Sequence, residues 1–179
     1  MKNKLGLEPG DVFFVMHDDS VISILLSRAM GFLASHSGII KEITDQSVYT
    51  IETSDFHVEY RDFNRYLVDP NVSYEVYRLP IKNDERLKVV DASAQTYGIG
   101  YGYFQLFSFY IRILAAKLGI RIKNFIRWGV VCCHVVLYGY KESSIKELNS
   151  IDPESIMTKE MYDIIRAIPG VKLVATNRN

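Results

Sequence analysis

Most segments with the apolar spacing of β-strands lie in the first half of the chain, and most segments with the apolar spacing of α-helices lie in the second half. A strand places every second side chain on one face, whereas a helix places residues three and four apart on one face. The segments predicted as strands are 11–16, 36–43, 48–52, 57–60, 73–79 and 171–175. The segments predicted as helices are 21–32, 62–67, 84–97, 104–118, 132–140 and 158–168. This segregation favours an α+β fold, with 36–43 and 48–52 paired as a hairpin.

Length and composition favour one domain spanning residues 1–179. The chain has 179 residues, and 48% of them are hydrophobic, which is enough to bury a core and too much for a disordered chain. Its 21 basic residues balance 21 acidic ones, a balance that argues against a protein coating nucleic acid. Arg112 and Lys117 interrupt the most apolar stretch, 103–122, so we predict no membrane span. With no secretory signal recognised, we expect a cytoplasmic protein, or one delivered by a phage or a secretion route.

The two cysteines, Cys132 and Cys133, are adjacent. A bridge between neighbours closes no useful loop, so we expect no structural disulfide. Cys132 stands where a predicted helix begins, and unpaired backbone N–H groups at a helix N-terminus lower the pKa of a thiol. The same groups can hold the oxyanion that forms when a thiolate adds to a carbonyl. Cys132 is therefore the candidate nucleophile; the alternative is that both cysteines are small core residues.

Among the histidines, His36 is the candidate base. It opens a predicted strand and shares a face with Gly38, which leaves room for a helix to bring a thiol near the imidazole. His134 is adjacent to the cysteines, but successive helical residues point about 100° apart, so it is a weak candidate. We interpret His17 and His57 as surface or structural residues. The alternative for His36 is a solvent-exposed histidine at a strand end.

A base of this kind needs an acceptor that orients its second ring nitrogen. Glu52 ends the partner strand of the predicted hairpin and can reach His36 if the two strands pair. The alternatives are a solvated carboxylate at position 52, with Asp45 or Asp55 serving instead.

In this order, the motifs resemble the circularly permuted branch of the NlpC-type papain-like superfamily, in particular the YiiX/YebB-like cysteine hydrolases. The motifs are PGDV (9–12) before a strand, SHSGII (35–40), YTIET (49–53) and VCCHVV (131–136). The resemblance runs from about residue 10 to about residue 165. Cys132 takes the nucleophile position in it, and Cys133 and His134 stand where the family has serine and glutamate.

The resemblance implies an antiparallel sheet or half-barrel packed on the helix that bears Cys132, with the chain order reversed relative to papain. His36 would then act as the base and Glu52 as its orienting acid, for a hydrolase of amide bonds that include cell-wall peptides. It implies no metal or organic cofactor. The run Cys132-Cys133-His134 is also unsuited to zinc, because consecutive residues cannot all turn toward one ion.

Two other functions remain open at this stage. The segment 104–127 combines aromatic and aliphatic residues with cations and has no acidic residue, which suits a membrane surface or an acidic polymer. It allows a lipid acyltransferase or thioesterase in peripheral contact with a membrane; the alternative is a core helix whose polar face is basic. The unusual Cys133-His134 pair allows a catalytically inactive binding module of the same fold.

Overall fold

The computed structural model describes residues 5–16, 34–120, 122 and 129–178. The strands are β1 (Val12–Met16), β2 (Ala34–Ile43), β3 (Val48–Thr53), β4 (Val58–Asp62), β5 (Ser73–Arg78) and β6 (Lys172–Thr176). They form one antiparallel sheet in the order β4-β3-β2-β1-β5-β6, with the predicted hairpin as β2 and β3. The predicted helix over 21–32, and His17, lie outside the described residues.

The helices begin and end close to the predicted positions. They are α1 (Asn64–Val68), α2 (Asn83–Ala94), α3 (Tyr103–Lys117), α4 (Cys132–Tyr140), α5 (Lys146–Asn149) and α6 (Thr158–Ala167), with a 3₁₀ turn at Pro153–Ser155. The bounds predicted for α4 match those observed. The short α5 and the 3₁₀ turn were not predicted, because neither is long enough to show a helical period.

The central strand β1 is buried on both faces of the sheet, since successive side chains of a strand point to opposite faces and all five of its residues are buried. On the face that packs against α4 and α6, the core includes Val12, Phe14 and Ile51. On the opposite face, Phe13 and Ile40 join a second cluster with side chains from the region of α1. The described residues thus form an α+β fold in which an antiparallel sheet packs on helices, as predicted.

Helix α4 lies at the centre of the helical layer, against β2, β3 and α2. Gly139 permits the close approach of α2, because a Cβ added there would lie 2.1 Å from Ser93 Oγ. The Ser93 hydroxyl in turn donates to the carbonyl of Val135 at 3.1 Å. This packing fixes the direction of α4, and with it the position of Cys132 at its first residue.

The PGDV motif has a structural role in the fold. The carboxylate of Asp11 is fully buried and accepts hydrogen bonds from Arg78 Nη2 at 2.8 Å and from Arg86 Nη1 at 3.0 Å. Because a buried carboxylate is costly without partners, these contacts hold β1 to β5 and α2 together. Within the described ranges, no helix is long and apolar enough to cross a membrane.

Candidate active site

Cys132 is the first residue of α4 and follows Val131, whose backbone is extended. The abrupt change from extended to helical backbone leaves the first N–H groups of the helix without intrahelical acceptors. His134 N–H donates a hydrogen bond to the carbonyl of Val131 at 2.9 Å. The N–H of Cys132, at the first residue of the helix, has no acceptor within the helix. Cys132 is 5% exposed, and its sulfur lies 3.4 Å from Thr158 Oγ1 at the start of α6.

His36 lies on β2, opposite Val15 of β1, and its side chain is 14% exposed. Its Nε2 is 2.6 Å from Oε2 of Glu52. The ring is also near enough to the Cys132 thiol for each group to shift the pKa of the other. Because Nε2 faces Glu52, Nδ1 is the nitrogen left for the sulfur. The solvent-exposed alternative for His36 is therefore wrong.

We predicted that a helix would occupy the space beside Gly38, and this prediction is wrong. A Cβ at Gly38 would lie 2.7 Å from the ring of Phe13 and 2.7 Å from the carbonyl of Ile51. A side chain of β1, rather than a helix, thus fills the space that the missing side chain leaves. The Phe13 ring packs beside His36, with centroids 6.2 Å apart, and so supports the imidazole on one side.

Glu52 lies on β3 opposite Gly38, and its side chain is fully buried. Beside His36, its carboxylate accepts hydrogen bonds from the Tyr66 hydroxyl at 2.6 Å and the Thr50 hydroxyl at 2.6 Å. Arg65 Nη2 lies 3.5 Å away. The solvated alternative for Glu52 is wrong, and it is Glu52, rather than Asp45 or Asp55, that meets the His36 ring.

These contacts favour the charged forms of His36 and Glu52. Burial by itself would lower the pKa of His36, but hydrogen bonds with Cys132 and Glu52 outweigh it and raise the pKa from 6.5 to about 9. Burial would raise the pKa of Glu52, but His36 and Arg65 lower it from 4.5 to about 2. Both values favour an imidazolium held against a carboxylate.

The pKa of Cys132 lies well below its ordinary value. A hydrogen bond from the Cys133 thiol is the largest contribution, burial opposes it, and the hydrogen bond and charge of His36 lower the pKa further. Cys133 also has an alternative acceptor, the carbonyl of Ile156 at 3.3 Å. The lowering of the Cys132 pKa by His36 does not depend on which of these two acceptors the Cys133 thiol uses. The favoured state is a thiolate beside an imidazolium.

The two unusual neighbours of Cys132 are buried in different surroundings. Both cysteines are free thiols, and the pKa of Cys133 is raised well above its ordinary value by the adjacent Cys132 thiol and by burial. His134 is fully buried, and burial lowers its pKa to about 4. Its Nε2 lies 3.3 Å from the side-chain amide nitrogen of Gln105. A neutral, enclosed imidazole of this kind is a poor base for the thiol.

Three residues near the site were not identified from the sequence: Thr158, Tyr66 and Arg65. Thr158 is brought to Cys132 by the packing of α6, and the other two reach Glu52 from the short helix α1. The only local signal was the aromatic content of 63–67, which does not reveal which side chain turns toward the sheet.

A surface cavity of about 740 Å³ lies between α2 and the C-terminal half of α4. Its lining includes Val89, Thr96, Tyr138 and Gly139, and contains none of the three candidate residues. Cys132 stands at the opposite end of α4. The cavity does reach Val130, two residues before Cys132, but it does not include the candidate residues themselves.

Comparison with known proteins adds information on the fold. No protein-family model matches the chain, and no curated protein matches it. The structure is similar to the crystal structure of the metalloprotein YiiX from Escherichia coli O157:H7. The match has a TM-score of 0.56 at 18% sequence identity, and covers 96% of this chain and 98% of that one.

The chain therefore has a YiiX-like α+β fold, and at this identity the likeness extends to the fold alone. YiiX is described as a metalloprotein. In the part of this chain that the structure describes, no group of three or more His, Cys, Asp or Glu side chains is arranged to hold a metal ion.

Proposed function

We propose that the protein is a cysteine hydrolase with a permuted papain-like arrangement, which cleaves an amide bond through an acyl-enzyme on Cys132. One observation carries the proposal: at a helix N-terminus, the Cys132 thiol lies near the His36 imidazole, which is hydrogen-bonded to the buried Glu52 carboxylate. Nucleophile, base and orienting acid are the three parts that a thiol hydrolase needs.

In the first step, the Cys132 thiolate adds to the carbonyl carbon of the substrate and a C–S bond forms. The oxyanion is stabilised by the backbone N–H of Cys132, which has no acceptor inside the helix. As the C–N bond breaks, His36 donates its Nδ1 proton to the departing amine. Glu52 holds the ring in one orientation and stabilises its charge before the proton leaves.

In the second step, the now neutral His36 takes a proton from water, and the hydroxide oxygen adds to the thioester carbon. The C–S bond breaks, the carboxylic acid leaves, and the thiolate–imidazolium pair is restored. The ring is 14% exposed, so a water molecule can approach it from the solvent side. Peptide-like amides, cell-wall peptides among them, are the substrate class we propose for this reaction.

The test is covalent trapping with a peptide-like electrophile that mimics an acyl group, such as a peptidyl vinyl sulfone, followed by mass spectrometry of the intact protein. At neutral pH we expect one adduct on Cys132. We expect Cys132→Ala to abolish it and His36→Ala to slow it at least about 100-fold.

Cys133→Ala is the matched control, because it removes the adjacent thiol and leaves Cys132, His36 and Glu52 in place. It should still form the adduct. If Cys133→Ala alone abolishes labelling, the nucleophile is assigned wrongly. If the wild-type protein is not labelled, the inactive binding module becomes the better description.

A further inference from the structure

Helix α3 has an inverted distribution of polar and apolar residues. Its inner face, turned toward the body of the protein, carries the fully buried polar residues Gln105 and Ser108 beside the buried Phe109. Its outer face carries Phe104 and Phe107, which are 62% and 57% exposed, and also Leu114. A helix that only completes the core would show the opposite pattern. The exposed face of α3 is thus largely apolar rather than basic.

The exposed apolar side chains form one continuous stripe. Phe104, Phe107, Leu114 and Leu118, with the half-buried Ile111 between them, follow the spacing of three and four residues that places side chains on the same side of a helix. Tyr103 and Tyr110 flank the stripe and are also exposed. Contiguous exposed apolar surface on a protein marks a site that contacts a partner or a membrane.

The charge of this region has one sign. Between residues 98 and 141 the chain has six lysines and arginines and no acidic residue, whereas the other 15 basic residues share the remaining chain with all 21 acidic ones. Arg112 is engaged by Glu160 of α6 at 3.1 Å. Lys117, at the end of α3, is exposed, and Arg121, Lys123 and Arg127 follow it in the sequence. The partner of this surface is therefore expected to be anionic.

We propose that the outer face of α3 docks the protein onto an anionic lipid surface. Phe104, Phe107 and Leu114 enter the boundary between headgroups and acyl chains, while Lys117 at the end of the helix meets lipid phosphates. The helix lies in the plane of the interface. This inference rests on exposure and charge, and it is independent of the catalytic role of Cys132.

Two other occupants fit the observations less well. A second copy of the chain would bring two surfaces of the same positive sign together. A nucleic acid would use aromatic side chains for stacking, but the aliphatic Leu114, Leu118 and Ile120 offer no stacking surface. Hydrocarbon accepts both aromatic and aliphatic side chains, and anionic headgroups satisfy the charge.

The test is flotation of the Cys132→Ser protein with phosphatidylcholine vesicles, with and without a quarter of phosphatidylglycerol. We expect binding to the anionic vesicles at low salt, clear weakening at high salt, and little binding to neutral vesicles. Lys117→Gln should weaken binding about fivefold. The double variant Phe104→Ser, Phe107→Ser should weaken it at least about tenfold.

The matched control is Leu87→Ser, which changes a side chain that is 60% exposed on α2. It should bind vesicles like the parent, and circular dichroism of each variant establishes that the fold is kept. Equal binding of the double variant and this control would overturn the proposal, as would absence of binding to anionic vesicles. Two further results would overturn it. One is a dimer of the parent protein, seen by light scattering, that the double variant does not form. The other is binding of single-stranded nucleic acid by a parent protein that does not bind vesicles.

Discussion

Nε2 of His36 and Oε2 of Glu52 lie 2.6 Å apart between adjacent strands of the sheet, with the carboxylate fully buried. The register that pairs Gly38 with Glu52 sets this distance, because the glutamate side chain can then reach diagonally to a residue two positions away. In a buried site with few competing waters, such a pair fixes the ring and favours its protonated form.

The first prediction concerns the pH dependence of activity. The reactive state needs Cys132 ionised and His36 protonated, and the pKa of His36 is raised to about 9. We therefore expect kcat/KM on a peptide-like amide to stay level through neutral pH and to fall as the pH rises through about 9. Steady-state kinetics over a range of pH measure this. An alkaline limb near 6.5, the ordinary pKa of histidine, would contradict it.

The second prediction concerns Glu52→Gln. The pKa of Glu52 is lowered from 4.5 to about 2, so its contribution to stability is present above pH 4.5 and lost as the pH falls through about 2. This difference in pKa corresponds to about 3 kcal/mol in the free energy of unfolding, and the same interaction also accounts for the shift of His36. We expect urea unfolding to show that Glu52→Gln lowers the free energy of unfolding by this amount at about pH 6. At about pH 3.5 the loss should be smaller by about 1 kcal/mol.

The same substitution should slow the reaction of Cys132 by about 100-fold or more, because the ring loses the charge that orients it. The contribution of His36 itself has the opposite pH sign. It is fully present below pH 6.5 and is lost as the pH rises through about 9. A Glu52→Gln protein with unchanged kinetics and unchanged stability would show that this carboxylate has no role at the site.

The third prediction concerns Tyr66, which we expect to position the acid. Tyr66→Phe removes a hydroxyl that donates to Glu52 at 2.6 Å in a buried environment, at a cost of about 1–2 kcal/mol in stability. Because the carboxylate is then held less firmly, we expect a lower kcat with little change in KM, and an alkaline limb at lower pH. The control is Tyr60→Phe on β4, where the ring is partly exposed. A loss of stability with no change in the pH profile would restrict Tyr66 to a structural role.

The fourth prediction concerns Gly38→Ala. The new Cβ would lie 2.7 Å from the Phe13 ring and from the carbonyl of Ile51, so one of them must shift. We expect a loss of about 1–3 kcal/mol in the free energy of unfolding, together with slower labelling of Cys132, because Phe13 also supports His36. Gly100→Ala is the control, since the nearest atom to its Cβ would be 4.0 Å away. Equal effects of both substitutions would show that crowding at Gly38 is not the cause.

Much of the local structure follows from the sequence because local periodicity encodes it. The beginning of α4 at Cys132, and the hairpin that brings Glu52 to His36, both depend on contacts close along the chain or on a single turn. The start of α4 at Cys132 and the contact between His36 and Glu52 could therefore be predicted. Their catalytic roles remain a proposal that the experiments above test.

The parts that could not be predicted depend on contacts between distant segments. The pairing of β1 with both β2 and β5 is one, since strand order leaves no mark in the spacing of apolar residues. The approach of Tyr66 to Glu52 and of Thr158 to Cys132 is another, because each requires the packing of a separate helix. The exposed apolar face of α3 could not be predicted for a different reason. The sequence of a helix with polar and apolar residues shows an apolar stripe, but it does not show whether that stripe faces the core or the solvent.

The measurement that tests the catalytic proposal most directly is a titration of the Cys132 thiolate. The difference in ultraviolet thiolate absorbance between the wild-type protein and Cys132→Ala reports its ionisation, and His36→Ala reports what the imidazole contributes. We expect the thiol to ionise well below pH 9 in the wild-type protein and at clearly higher pH in His36→Ala. Ionisation of Cys132 only near or above pH 9, or at the same pH in both proteins, would contradict the thiolate–imidazolium pair.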